Sequence, residues 1–181
     1  MDNLSITERA APANPSSAYD NSYYEAEKAS LQATVKSGAN WFYWIAGLSL
    51  VNTVAALSGA NFAFGLGLGL TQVFDAFASQ ITGVVKALPL IIDFVAIGVF
   101  AVFGYFGGKG QLWAVVTGTL LYVLDGLLLL LLMALGGGVI IIGLLIHGVA
   151  LYSLFRAWGA CRRLSKLAAE QSVFVPPPPS F

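Results

Sequence analysis

The sequence predicts an all-α membrane protein, a bundle of four transmembrane helices with one further interfacial or re-entrant helix. Three observations carry that expectation. Only 10% of the 181 residues are charged, against about 25% in soluble domains. Apolar residues make up 57% of the chain, and the mean hydropathy is +0.78. They are gathered into runs long enough to cross a hydrocarbon core of about 30 Å. The nine basic and nine acidic residues cancel and form no basic stripe, which argues against nucleic acid as a partner. A single cysteine allows no internal disulfide.

Residues 1–39 are polar and read as a largely disordered, cytoplasmic N-terminal segment. No apolar core follows a basic start there, so the first span is expected to act as an uncleaved insertion signal. Within this leader, residues 23–36 (YYEAEKASLQATVK) have the pattern of a short amphipathic helix entering the membrane. The transmembrane region, 40–158, divides into spans at about 41–58, 84–106, 111–135 and 137–158. Pro89 falls in the opening turns of the second span, where neighbouring helices tolerate a kink. The remaining 159–181 form a basic, proline-rich cytoplasmic tail.

The segment 59–82 is the ambiguous one. Its first half is Gly-rich, and in its second half Leu70, Val73, Phe74, Phe77 and Ile81 recur at helical spacing. Thr71, Asp75 and Ser79 recur on the opposite, outer-side polar face, the pattern of an interfacial helix. A fifth span is the competing reading. With four spans and both ends inside, Lys28, Lys36, Lys109 and the tail cations Arg156, Arg162, Arg163 and Lys166 are cytoplasmic, leaving Lys86 opposite. Trp41, Trp44, Trp113 and Trp158 then share the cytoplasmic boundary, where amphipathic rings sit at the headgroup level. Charge and aromatic placement therefore favour four.

Depth supplies the candidate site. At 1.5 Å per residue, Asp93 and Asp125 each lie about 3 Å from the middle of their spans, His147 about 2 Å and Asn52 about 4 or 5 Å. All four are displaced toward the outer side and form one midplane polar layer. Each Asp costs roughly 2.5–3.5 kcal/mol at a helix centre, so it must face protein, water or a partner. Two readings stay open: a cluster that binds or relays a proton or small cation, and a set of interhelical hydrogen bonds that fix packing. Tyr122, three residues before Asp125 on the same helical face, is a candidate donor to that carboxylate or a core residue.

Other features are weaker signals. Gly65/Gly69, Gly104/Gly108 and Ala114/Gly118 have the four-residue spacing that lets helix backbones approach, in a compact bundle or a homo-oligomer. The Gly65–Gly69 run has no Lys-Thr/Ser after it and does not follow a strand, so it does not read as a phosphate loop. Cys161 is a juxtamembrane cysteine, either acylated or, as the plainer reading has it, a free thiol. The neighbouring arginines suit anionic lipid headgroups. Pro176–Pro179 suits an extended conformation that a cytoplasmic polyproline-reading partner would recognise, or an unstructured tail. No metal-ligand spacing and no nucleophile–base register is present, so neither a catalytic residue nor a cofactor is expected.

The segments WFYWIAGLSLVNT, GLTQVFDAFA, LYVLDGLLLLLL and IHGVALYSLFRAW resemble a loosely defined group of small bacterial four-span membrane proteins with no assigned activity. The resemblance covers about residues 40–160 and omits the proline-rich end. It implies a four-helix membrane protein and points to Asp75, Asp125 and His147 as positions to test, without giving them a role.

The resulting expectation is a multi-pass protein of the cell membrane, with lipid and a larger membrane complex as its partners. A non-catalytic structural or accessory component comes first. A small proton or cation channel using Asp93, Asp125 and His147 is the alternative, and a lipid-acting enzyme the least favoured.

Overall fold

The computed structural model of the chain describes residues 15–58, 69, 87–134 and 141–174. Four helices account for nearly all of them: α1 (Pro15–Leu57), α2 (Ala87–Gly108), α3 (Leu112–Ala134) and α4 (Ile141–Phe174). No strand occurs among the described residues. Three segments are long and apolar enough to cross a membrane: Leu90–Gly108, Leu112–Leu131 and Ile141–Gln171. The expected second and third spans coincide with α2 and α3 to within a few residues. The fourth, expected to end at 158, lies in a helix that runs on to Phe174, because a long apolar run marks a helix without marking where it stops. Pro89 falls in the first turn of α2, where its missing N–H removes no helical hydrogen bond.

The expected first span, 41–58, is the second half of the 43-residue α1. It is not among the three apolar segments, since its run is interrupted by Asn52 and continues N-terminally into polar residues. The helix does lie in the bundle: Phe42 packs at 6.1 and 6.0 Å from Phe100 and Phe103 of α2.

α1 packs between α2 and α4, and α3 closes the ring against the same two helices. Neighbours run antiparallel. Phe42 beside Phe103, with Ala39 facing Gly107, fixes α1 against α2. Gly38 against Ala157, with Tyr24 bonded to Gln171, fixes α1 against α4. Between α2 and α3 a three-residue turn suffices, in which Gly110 adopts φ +79° and donates its N–H to the Gly107 carbonyl at 2.9 Å. That left-handed conformation suits a residue without Cβ.

Burial runs opposite to the pattern of a water-soluble bundle. Val95, Val102, Leu124, Leu127 and Leu145 are exposed, whereas Ser49, Asn52, Thr53, Asp93, Thr119, Asp125 and His147 are buried. The interior is otherwise filled by Phe42, Phe100, Phe103 and Tyr122, whose rings meet edge-on or tilted.

Two expectations are corrected. The polar segment 1–39 was expected to be largely disordered, yet α1 is helical from Pro15 onward. Likewise, the tail expected from 159 continues α4 as helix to Phe174. Each polar extension is held by the other. Glu27 accepts from Arg163 Nε at 2.8 Å, Tyr24 Oη donates to Gln171 Oε1 at 2.8 Å, and Val35, Ala157, Ala160 and Cys161 form a small apolar seam beneath. Cys161 is 2% exposed in that seam, so its thiol is not presented for acylation. The interfacial helix expected over 59–82 lies outside the described residues except for Gly69, as do residues 1–14 and the proline run Pro176–Pro179.

Candidate functional site

Helical register determines which polar residues meet. Tyr122 and Asp125, three apart on α3, share the face turned toward α4, and His147 of α4 sits against both. His147 Nε2 is 3.6 Å from Asp125 Oδ2 and 3.3 Å from the Tyr122 carbonyl oxygen. Both neighbours are acceptors, so we assign the proton of the neutral ring to Nε2. The imidazole lies flat on the Tyr122 ring, with centroids 3.9 Å apart and planes at 17°. Tyr122 thus meets the site through its ring. Its other face of contact is Phe100, edge-on at 6.1 Å.

Two glycines make this arrangement possible. A Cβ at Gly126 would stand 3.0 Å from His147 Cδ2 and 3.2 Å from Nε2. Its absence lets the imidazole reach the backbone of α3. The second is Gly69, whose N–H donates to Asp125 Oδ2 at 2.9 Å. Gly69 is buried, and a Cβ there would collide with the Leu129 side chain at 2.6 Å. Asp125 lies nine residues below Ala134, where α3 ends, so Gly69 reaches about 14 Å into the bundle from that end.

Asn52 and Asp93 occupy a second level. The pairing of Phe42 with Phe103 and Tyr43 with Gly104 carries on along the two helices to bring Asn52 opposite Asp93. Phe100 beside Tyr122 carries on likewise to set Asp93 about one turn beyond Asp125. Asn52 is 4% exposed and Asp93 0%. The single layer expected from sequence is therefore two steps of a polar ladder: Tyr122, Asp125 and His147 in mutual contact, then Asn52 and Asp93. Thr71, Asp75 and Ser79 lie outside the described residues.

Two cavities lined by described residues bear on the site. One, of about 280 Å³, opens between α2 and α3 and is lined by Ala96, Val99, Leu121, Leu124 and Leu128, with Asp125 at its inner edge. The other, of about 320 Å³, is polar and lies between α1 and α4, with Arg156 and four hydroxyl side chains on its walls. No group of three metal-ligating side chains occurs among the described residues.

Sequence depth alone had singled out Asp125 and His147. Gly69 had been marked only by its four-residue spacing from Gly65, and Gly126 not at all. The importance of both lies in side chains they lack, and the signal for the second was the Asp125-Gly126 pair within an otherwise leucine-rich run. No family model, curated protein or solved structure matches the chain. The site is therefore read from its own residues.

Proposed function

We propose that the chain is a four-span integral protein of the cell membrane, with both ends cytoplasmic, that acts as a non-catalytic component of a membrane assembly. The observation that carries this reading is the internal engagement of Asp125. Its Oδ2 receives the Gly69 N–H and sits beside His147, so a buried carboxyl links α3, α4 and the α1–α2 connection. Polar side chains used in this way fix helix packing in a medium that offers no other hydrogen-bond partner. The antiparallel register supports four spans, since α1 runs alongside α2 for its last turns. Sidedness is supported by Lys28, Lys36, Lys109, Arg156, Arg162, Arg163 and Lys166, which the same register gathers at one end. The paired extensions of α1 and α4 supply a surface beyond the bilayer for a partner, and Pro176–Pro179 a segment for a polyproline-reading one.

Association is the test. Mild-detergent extracts of cells carrying the tagged full chain should yield it in a complex or as an oligomer by light scattering. A strictly monomeric protein with no co-purifying component overturns the reading.

A second reading, a proton or cation pathway, is favoured by one observation: Asp93, fully buried, is about one turn from Asp125 along the same ladder. It requires that liposomes carrying the protein dissipate a pH gradient faster than empty ones, and that Asp93→Asn and Asp125→Asn each abolish the excess. Flux equal to that of empty liposomes rejects it.

A further inference from the structure

The polar cavity between α1 and α4 is separate from the ladder of buried carboxyls, and its lining has a consistent chemistry. Ser30, Thr34 and Ser37 recur on one face of α1, opposite Ser153 and Arg156 of α4. Gly38 closes the floor: a Cβ there would overlap that of Ala157 and stand 2.8 Å from the Ser153 carbonyl oxygen, so the two backbones touch. The cavity of about 320 Å³ is the cleft left beside that contact.

Donors dominate it. Thr34 and Ser153 donate their hydroxyls back to the carbonyls of Ser30 and Val149 at 3.0 and 3.1 Å. Ser30 and Ser37 make no such bond among the described residues, so their hydroxyls remain available to the cleft. Arg156 forms no ion pair among the described residues. Its guanidinium lies 5.8 Å from the Tyr152 ring centre. Two turns further along α4, Arg163 is by contrast taken by Glu27 and Glu170. No carboxylate lines the cleft.

We infer that this cleft binds the phosphate of an anionic phospholipid in the cytoplasmic leaflet. A guanidinium and the Ser30 and Ser37 hydroxyls with no carboxylate among them suit an oxyanion, and phosphate is the one that Arg holds in a forked pair. Depth decides the source. The antiparallel register sets Trp41, Trp44, Trp113 and Trp158 within a few turns of Gly38, and the exposed Trp44 and Trp113 mark the belt where headgroups lie. Ser30 to Ser37 sit at the polar edge of that belt. The inference rests on the membrane-spanning reading above.

Native mass spectrometry of the full chain, released from neutral detergent micelles doped with phosphatidylglycerol or phosphatidylcholine, tests it. Phosphatidylglycerol adducts should exceed phosphatidylcholine adducts. Arg156→Gln should lower phosphatidylglycerol retention about fivefold, Arg156→Lys should restore part of it, and Arg162→Gln should leave it unchanged. Equal retention of the two lipids, or equal loss in Arg156→Gln and Arg162→Gln, overturns the site. Displacement of the lipid by millimolar inorganic phosphate overturns its assignment to a lipid in favour of a soluble phosphate. Arg156 is exposed, and unchanged thermal unfolding of its variants checks that the fold is intact. A chain that purifies without detergent as a soluble monomer would instead refute the membrane reading itself.

Discussion

The α1/α4 pair and the α2/α3 pair are both antiparallel and each borders a cavity, yet one is sealed backbone to backbone at Gly38 beside its cleft and the other is splayed. Where α1 meets α4, Gly38, Ala150, Ala157 and Ala160 let the backbones close, and the seam continues to Gln171. α2 and α3 are joined at their short turn by Phe103 and Phe106 against Trp113, at 6.3 and 5.5 Å. Further along, they part around the 280 Å³ cavity that reaches Asp125. Both pairs are apolar at the level of the bundle, so hydrophobicity does not separate them. Side-chain volume at the seam does, as expected where lipid competes equally for apolar surface and close packing decides association.

Breaking the sealed pair should have the largest effect. Gly38→Leu drives a side chain into the Ala157 and Ser153 backbone and should cost about 3 kcal/mol, read as an earlier midpoint in detergent unfolding followed by circular dichroism. A midpoint equal to the parent's would mean that α1 and α4 are not in contact there. Next comes the polar link on the splayed side. Asp125→Ala leaves the Gly69 N–H without its acceptor and removes the carboxyl beside His147 Nε2, which keeps the Tyr122 carbonyl, and should cost about 2 kcal/mol. An unchanged midpoint would remove Asp125 from the packing of the bundle. Smallest should be Glu27→Gln, which weakens the Arg163 pair where both side chains are more than a third exposed. Its expected effect is about 0.5 kcal/mol or less and should shrink further at high salt. A loss larger than that of Asp125→Ala would show that the polar extension, rather than the buried seam, holds α1 to α4.

How much could be read from the chain alone follows the same division. The apolar helices α2, α3 and α4 were legible because a long apolar run marks a helix, although α4 runs past its expected end to Phe174. Of the first half of α1 only residues 23–36 were expected as helix, from their amphipathic pattern; its continuity with the span and its contacts with Arg163 and Gln171, well over a hundred positions away, were not. Local propensity carries no trace of such contacts. Depth arithmetic set Asn52, Asp93, Asp125 and His147 in one layer, of which Asp125 and His147 stand 3.6 Å apart while Asn52 and Asp93 lie about one turn further along the helices. It treated each span as starting at its hydropathy edge, whereas the register is set by which bulky rings interlock, Phe42 with Phe103 and Phe100 with Tyr122.

The unbroken length of α1 has a mechanical consequence. Its 43 residues make a rod about 64 Å long, and its backbone touches that of α4 at Gly38, a little beyond halfway. Pivoting there by about 5° would swing the Pro15 end roughly 3 Å one way and the Leu57 end roughly 2.5 Å the other. Asn52 rides on the inner arm of that rod, so a load applied at the polar tip is delivered, without any intervening joint, to the level of Asp93.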